Sequence, residues 1–146
     1  MSKQEKTYRG RLHDLLEETL DYYRYSNRGV TKGGSCNYET PDGAMCAAGR
    51  LMKKAARRCI IFQGQNGASI VSLLDIGNQN YMGKEILKKR YRDIEPHFLS
   101  TLQNLHDEDW YWVKTDAGWK LSPDGQLKAG AIRDEIDEGK YGGGVS

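Results

Sequence analysis

The feature that most constrains the fold of this chain is a stripe of side chains near its N-terminus. The stripe recurs at intervals of three and four residues and consists of Leu12, Leu15, Leu16, Thr19, Leu20 and Tyr23. This spacing predicts an amphipathic α-helix over residues 8–27, with an acidic opposite face. A chain of 146 residues is long enough to bury such a stripe in one hydrophobic core. We therefore expect a single folded domain.

Further elements follow from periodicity and turn residues. Helices are predicted over residues 44–58 and 69–74, from Pro96 onward, and after Ser122, while residues 110–121 read as two short strands around an Asp-Ala-Gly turn. Residues 60–62 are expected to be extended. The predicted fold class is α+β, a helix-rich single domain with short β-hairpins. The domain is expected to span residues 1–138, and the glycine-rich residues 139–146 to form a flexible tail.

The composition indicates the cellular compartment and the charge distribution of the protein. No apolar run approaches the roughly 18 residues that a membrane-spanning helix needs, and the first residues are polar rather than signal-like. Three cysteines form an odd set without the density of a disulfide scaffold, which favours a reducing compartment and a cytoplasmic protein. The net charge is +2, but residues 1–60 carry 12 Lys and Arg against 7 Asp and Glu. This asymmetry allows a basic patch in the N-terminal half.

A basic stripe on the predicted helix 44–58 is the most specific candidate site. Its members stand at positions i, i+3, i+4, i+7 and i+8 and are Arg50, Lys53, Lys54, Arg57 and Arg58. On one helix face they would concentrate positive charge and suit phosphate groups or an acidic protein surface. The alternative interpretation is a solvated helix face that only keeps the surface wet. A second candidate contact is the aromatic set Trp110, Trp112 and Trp119, which would stack on a ligand or pack into the core.

Catalytic and metal chemistry find less support. Cys36, Cys46 and Cys59 lack the close pairs typical of zinc sites, although His13, His97 and His106 would offer a fourth ligand. Cys46 near a helix start would be either a small core residue or a reactive thiol. The dipeptides His13-Asp14 and His106-Asp107 leave a metal-dependent hydrolase open as an alternative function. We predict no catalytic residue, no metal and no cofactor, and an enzyme remains the less favoured alternative.

Residues 36–38 and 46–51 are joined by a glycine-containing turn and follow the pattern Cys-x-Tyr, turn, Cys-Ala-x-Gly-x-Leu. This pattern resembles that of a family of small proteins encoded by tailed phages and bacteria. The segments 69–74 and 102–107 are similar to it in type and order. After Leu51 this chain departs from the pattern and becomes basic. The resemblance implies a phage or prophage accessory protein that binds and redirects host machinery or blocks host defence.

These observations lead to a binding function as the first expectation. The partner would be a host protein or a protein–nucleic-acid complex in the host cytoplasm, contacted through the basic helix, with no membrane involved. Direct nucleic-acid binding is one alternative, and a small metal- or thiol-dependent hydrolase is the other. The sequence leaves the partner's identity and the oligomeric state open.

Overall fold

A computed structural model describes residues 7–26, 28, 37–41, 43–66, 69–77 and 80–142. Within them the elements are α1 (Tyr8–Tyr25), α2 (Ala47–Leu51), α3 (Lys54–Phe62), α4 (Ile70–Ile76), α5 (Pro96–Asp107), β1 (Trp112–Thr115), β2 (Gly118–Leu121) and α6 (Pro123–Asp137). Short 3₁₀ helices cover Gly83–Ile86, Lys89–Tyr91 and Asp109–Tyr111. The predicted helix-rich α+β fold is confirmed, with a two-stranded hairpin as its β component.

Helix α1 forms where the stripe predicts it. Its N-terminus is capped by Thr7, whose hydroxyl oxygen accepts a hydrogen bond from the Gly10 amide at 3.0 Å. The buried side chains are Leu12, Leu15, Leu16, Thr19 and Tyr23. The hydroxyl of Thr19 donates to the Leu15 carbonyl at 2.7 Å, so this buried polar group is satisfied. The helix packs against β2 and α6.

Helix α5 lies at the centre of the fold because it contacts α2, α4 and α6. It begins at Pro96, where a missing N–H costs little, and the Glu95 carboxylate accepts from the His97 amide at 3.0 Å. Its buried face comprises Phe98, Leu99, Leu102, Leu105 and His106. All six helices contribute to one continuous core cluster.

The hairpin is confirmed and is held against α1. Its strands are antiparallel, with Trp112 opposite Leu121 and Thr115 opposite Gly118. Gly118 has φ +136°, and a Cβ added there would stand 1.9 Å from the carbonyl oxygen of Arg24. Only glycine therefore allows the turn to approach the end of α1 so closely.

The predicted helix 44–58 is interrupted, which corrects one expectation. Helix α2 ends at Leu51, Met52 is extended with ψ 151°, and α3 begins at Lys54. Met52 instead forms an antiparallel bridge with Leu87. Pairing with a distant segment thus overrides the helix propensity of the local sequence. Residues 60–62, expected to be extended, belong to α3 instead. In this amphipathic helix the side chain of Ile60 is buried in the core.

The predicted boundary at residue 138 falls too early. Tyr141 is 2% exposed, and its ring meets that of Phe98 edge-on with centroids 5.0 Å apart. The ring also stacks on His97. Residues 139–142 therefore belong to the folded domain. Residues 143–146 lie outside the described residues, as does Cys36.

Candidate anion-binding surface

The cations predicted to share one helix face occupy two helices and two environments. Arg50 lies in α2, Lys53 precedes α3, and Lys54, Arg57 and Arg58 lie within α3. The side chains of Arg50 and Arg57 are only 11% and 9% exposed. Lys53 is half-buried, whereas Lys54 and Arg58 are exposed. The five residues therefore do not form one uniform stripe.

Arg57 holds three parts of the fold together. Its Nε donates to a Glu39 carboxylate oxygen at 2.7 Å, and a terminal nitrogen donates to the Gly49 carbonyl at 3.2 Å. Gly49 must be glycine, because a Cβ there would stand 2.1 Å from the Tyr38 carbonyl oxygen. Arg57 thus joins α3 to α2 and to residues 37–41. This set of contacts gives Arg57 a structural role.

Arg50 has a comparable position on the other side of α2. A terminal nitrogen donates to the Glu18 carboxylate at 2.9 Å, and the guanidinium carbon lies 4.9 Å from the centre of the Tyr22 ring. Both partners belong to α1. The side chain thus ties α2 to α1 through an ion pair and a cation–π contact.

A second basic segment lies beside the first, and sequence reasoning missed it. It comprises residues 84–92 and contains Lys84, Lys88, Lys89, Arg90 and Arg92. Next to the Met52–Leu87 bridge, the Lys53 amide donates to the Ile86 carbonyl and the Lys88 amide to the Leu51 carbonyl, each at 2.9 Å. We call residues 50–58 and 84–92 the paired basic segments. Their cation density is visible in the sequence, but their pairing depends on a long-range bridge.

The paired basic segments concentrate the protein's positive charge. They carry ten Lys and Arg and one acidic residue, Glu85, while the rest of the chain carries 12 Lys and Arg against 19 Asp and Glu. Burial lowers the pKa of Lys88, and the nearby cations Arg90, Arg50 and Arg57 lower it further. The charge of Lys88 is therefore repelled by Arg50 and Arg57 of the first segment. A bound anion would relieve that repulsion.

Exposure separates the cations that are available to a ligand from those that are not. Side chains on both segments face solvent: Lys54, Arg58, Lys84, Lys88, Lys89 and Arg90. Lys54 and Arg58 form no ion pair with any residue that the structure describes. The surface as a whole can attract phosphate or carboxylate groups through several separate charges.

The three tryptophans of the hairpin region have three different environments. Trp112 is buried and donates its indole N–H to the Leu105 carbonyl at 2.9 Å. Trp119 is half-buried beneath the Lys114 ammonium, 5.9 Å from the ring centre, and also faces the Arg28 guanidinium. Trp110 is 60% exposed. Trp110 is thus the member of this set that presents most of its ring to solvent.

The residues of the hydrolase alternative do not converge. His13 pairs with Asp137 at 2.7 Å between α1 and α6, and it is partly exposed. His106 is fully buried and contacts Asp107 at 2.8 Å and the Tyr23 ring at 4.9 Å. Tyr23 lies ten residues beyond His13 on α1, which is about 15 Å along the helix. The two histidines therefore serve separate local contacts.

His106 belongs to a buried polar network. Its pKa is lowered by burial, which outweighs the opposite effect of Asp107, so the imidazole is neutral near pH 7. Gln103 donates to the Asp107 carboxylate at 2.6 Å, and its carbonyl oxygen accepts from the Ala48 amide at 2.9 Å. The network thus connects the end of α5 to the start of α2, as a structural group would.

The described cysteines also have local partners. Cys46 is fully buried, and its sulfur accepts from the Gly49 amide at 3.3 Å, capping α2. The Cys59 sulfur accepts from the Asn80 side-chain amide at 3.0 Å. In the part of the chain that the structure describes, no three His, Cys, Asp or Glu side chains are grouped in a way that could hold a metal ion.

None of the helices described here is long and apolar enough to cross a membrane. Comparison of the chain with protein-family models, with curated proteins and with solved structures gave no match.

Proposed function

We propose that this protein acts by binding nucleic acid, with the phosphate backbone lying along the paired basic segments. The single observation that carries the proposal is the Met52–Leu87 bridge, which brings two cationic stretches of the chain side by side. A lone basic helix face is commonly just solvated. Two such stretches joined by backbone hydrogen bonds form a broader and more strongly charged surface.

The charge distribution along the chain supports this proposal. Only one of the 20 Asp and Glu residues, Glu85, lies within the two segments, so their exposed cations would attract a polyanion. Phosphates along a strand repeat their charge and release counterions when Lys and Arg neutralise them. Separate exposed cations on two adjacent segments suit such a repeating ligand better than they suit a single carboxylate.

Exposure and ion pairing divide the cations of the paired basic segments into two groups, to which we assign different roles. The exposed side chains, which in the proposed function contact the phosphates, are Lys54, Arg58, Lys84, Lys88, Lys89 and Arg90. Arg50 and Arg57 are already held by Glu18 and Glu39. In the proposed function these two arginines position α2 and α3 and contribute only to the background field.

The resemblance to small phage proteins supplies the setting of the proposal. A phage accessory protein with this surface would act on nucleic acid in the host cytoplasm or on a host complex that carries it. A host protein is the second candidate partner, and the observation that favours it is the exposure of Trp110 and Leu127, 60% and 75%. Trp110 lies in the Asp109–Tyr111 helix, which contacts α6, where Leu127 is located. Exposed aromatic residues are enriched in protein interfaces.

Salt-dependent binding provides the test. We would titrate a fluorescent duplex and a fluorescent single strand with the wild type, with Lys54→Glu/Arg58→Glu and with Lys88→Glu/Lys89→Glu, over a range of salt concentrations. The matched control is Lys120→Glu/Lys140→Glu, which makes the same charge change at exposed positions in β2 and after α6. Each phosphate contact contributes about 0.9 to the slope of log affinity against log salt for a duplex and about 0.7 for a single strand.

The expected result is measurable binding by the wild type, with a slope about 1–2 smaller in each test variant and unchanged in the control. Equal loss in all three variants would reduce the effect to net charge alone and would contradict a defined surface. Failure of the wild type to bind either nucleic acid would overturn the proposal. A nuclease-resistant host protein captured by the wild type and lost in Trp110→Ala would then support the second candidate.

A further inference from the structure

A groove of about 450 Å³ opens at the C-terminal end of α3, next to the paired basic segments. Its walls combine apolar, charged and polar side chains, which are Glu39, Thr40, Pro41, Arg58, Ile61, Phe62 and Asn66. The volume falls within the range of about 300–1,000 Å³ that is usual for sites of small organic groups. We propose that this groove receives an unpaired base of a single-stranded nucleic acid, with Phe62 as the stacking platform. The inference rests on the proposed function and specifies the form of nucleic acid.

Phe62 is the most exposed large apolar side chain that the structure describes. Its exposed fraction is 92%, although it belongs to the amphipathic helix α3, in which Ile60 is fully buried. An isolated exposed Phe is unremarkable by itself. Here the ring borders a groove and lies beside a cation of the basic surface, and that combination is typical of sites where bases stack on aromatic rings.

The exposed face of α3 continues from phosphate-binding groups to this ring. Lys54, Arg58 and Phe62 stand at positions i, i+4 and i+8, and all three are exposed. Successive members are therefore separated by about 6 Å along the helix axis. A strand that lies along α3 would meet two cations and then an aromatic ring. Its backbone would face the cations, and one base would turn into the groove.

The groove wall that includes Thr40, Pro41 and Asn66 is held by hydrogen bonds. The side-chain oxygen of Asn66 accepts from the Tyr38 amide at 2.8 Å, and its amide nitrogen donates to the Glu39 carbonyl at 3.1 Å. Glu39 is held in turn by Arg57. Asn66 and Arg57 thus tie residues 38–39 to α3 and to the segment that follows it. A preformed groove needs little reorganisation when a flat ligand enters it.

This geometry favours a single strand over a duplex. In a duplex the bases are stacked on each other and present no free ring face to Phe62, whereas every unpaired base has such a face whatever its identity. The Arg58 guanidinium, which lines the same groove, is planar and can contact either the stacked base or the adjacent phosphate. The expected binding mode is therefore tolerant of sequence and selective for unpaired strands.

The test compares an oligothymidine about 16 nucleotides long, enough to cover a typical single-strand site, with a duplex of the same length. The proteins are the wild type, Phe62→Ala and Phe62→Tyr, and the control is Leu127→Ala, which removes another exposed apolar side chain, from α6. Because Phe62 is 92% exposed, its truncation leaves the core intact, and circular dichroism would verify this.

We expect Phe62→Ala to weaken binding of the oligothymidine by about five- to hundredfold, which is the usual loss for one stacked base. Duplex binding and both salt slopes should be unchanged, while Phe62→Tyr should retain the affinity because it keeps the ring. Equal affinity of the wild type for the two nucleic acids, with no effect of Phe62→Ala on either, would refute the base-binding groove and leave the proposed function standing. No binding of either nucleic acid by the wild type would refute both.

Discussion

The basic segment 50–58 and the aromatic hairpin region 110–121 each present a row of chemically similar side chains that would suit a contact surface. In both regions the fold buries some members of the row and exposes others. In the basic segment Arg57 is buried and Arg58 is exposed, although they are neighbours. In the hairpin region Trp112 is buried and Trp110 is exposed.

The difference lies in what burial requires of the two groups. A tryptophan needs apolar surroundings and one acceptor for its indole N–H, which Leu105 supplies to Trp112. A buried arginine needs a carboxylate and further acceptors, which Glu39 and Gly49 supply to Arg57. The first requirement can be met by many positions of a core. The second depends on a tertiary contact with a particular acidic side chain from another part of the sequence.

The largest effect is expected for the hairpin pair. Trp112→Ala should lower the free energy of unfolding by about 3–5 kcal/mol, because it leaves a cavity beside Tyr23 and removes a buried hydrogen bond. Trp110→Ala should change it by less than about 1 kcal/mol. Urea denaturation of the two variants measures both values. Similar losses in the two would show that the hairpin does not divide into a core side and a surface side.

The arginine pair should show a somewhat smaller contrast. Arg57→Met should cost about 3 kcal/mol of stability, since it leaves the partly buried Glu39 carboxylate without its cation. Arg58→Met should stay within about 0.5 kcal/mol of the wild type. Denaturant unfolding of both variants provides the measurement.

A second substitution sharpens this contrast. Adding Glu39→Gln to Arg57→Met should recover part of the lost stability, because no uncompensated charge then remains. If Arg57→Met is as stable as the wild type, Arg57 is not a structural residue. It would then return to the set of candidate ligand contacts together with Lys54 and Arg58.

Local patterns in the sequence were sufficient for the elements that form by themselves. Helix α1, the Pro96 start of α5 and the hairpin turn at residues 116–117 all follow from periodicity and capping chemistry. The break at Met52 does not, because it exists only through the bridge to Leu87. The inward positions of Arg50 and Arg57 depend likewise on Glu18 and Glu39, which a helical-face argument does not include.

The candidate site was therefore predicted in part. Its first segment was visible as a run of cations, and two of the five predicted residues, Lys54 and Arg58, are exposed. The second segment was equally visible as composition, but nothing local indicates that it pairs with the first. The groove at Phe62 was missed for a similar reason, since its other wall, including Thr40 and Asn66, is brought there by tertiary contacts.

The smallest predicted effect is a pH dependence that should belong to the hairpin side of the molecule and not to the basic segment. His106 is buried against Tyr23, which in turn contacts Trp112. Burial lowers the pKa of His106 in the folded protein below its value of about 6.5 in the unfolded chain. The unfolded chain therefore binds a proton more readily, and folding is favoured when the imidazole is neutral.

The sign follows from this difference. The contribution of His106 to stability is complete above about pH 6.5 and is lost as the pH falls from there toward the lowered pKa of the folded state. Each unit of pKa lowering corresponds to about 1.4 kcal/mol. Asp93, whose pKa is lowered by its hydrogen bond from Arg11, acts in the same direction but only below about pH 4, the ordinary range of a carboxyl group.

Urea unfolding at about pH 7.5 and about pH 5.5, on either side of the ordinary histidine pKa, isolates the effect of His106. The wild type and His13→Gln should both be less stable at the lower pH, whereas His106→Gln should lose most of that difference. If His106→Gln does not fold, the ring proton shifts of His106 in the wild type supply the same information, since they should titrate below the ordinary range. Titration at or above that range would show that Asp107 outweighs burial, and the network at the end of α5 would then hold a charged imidazole.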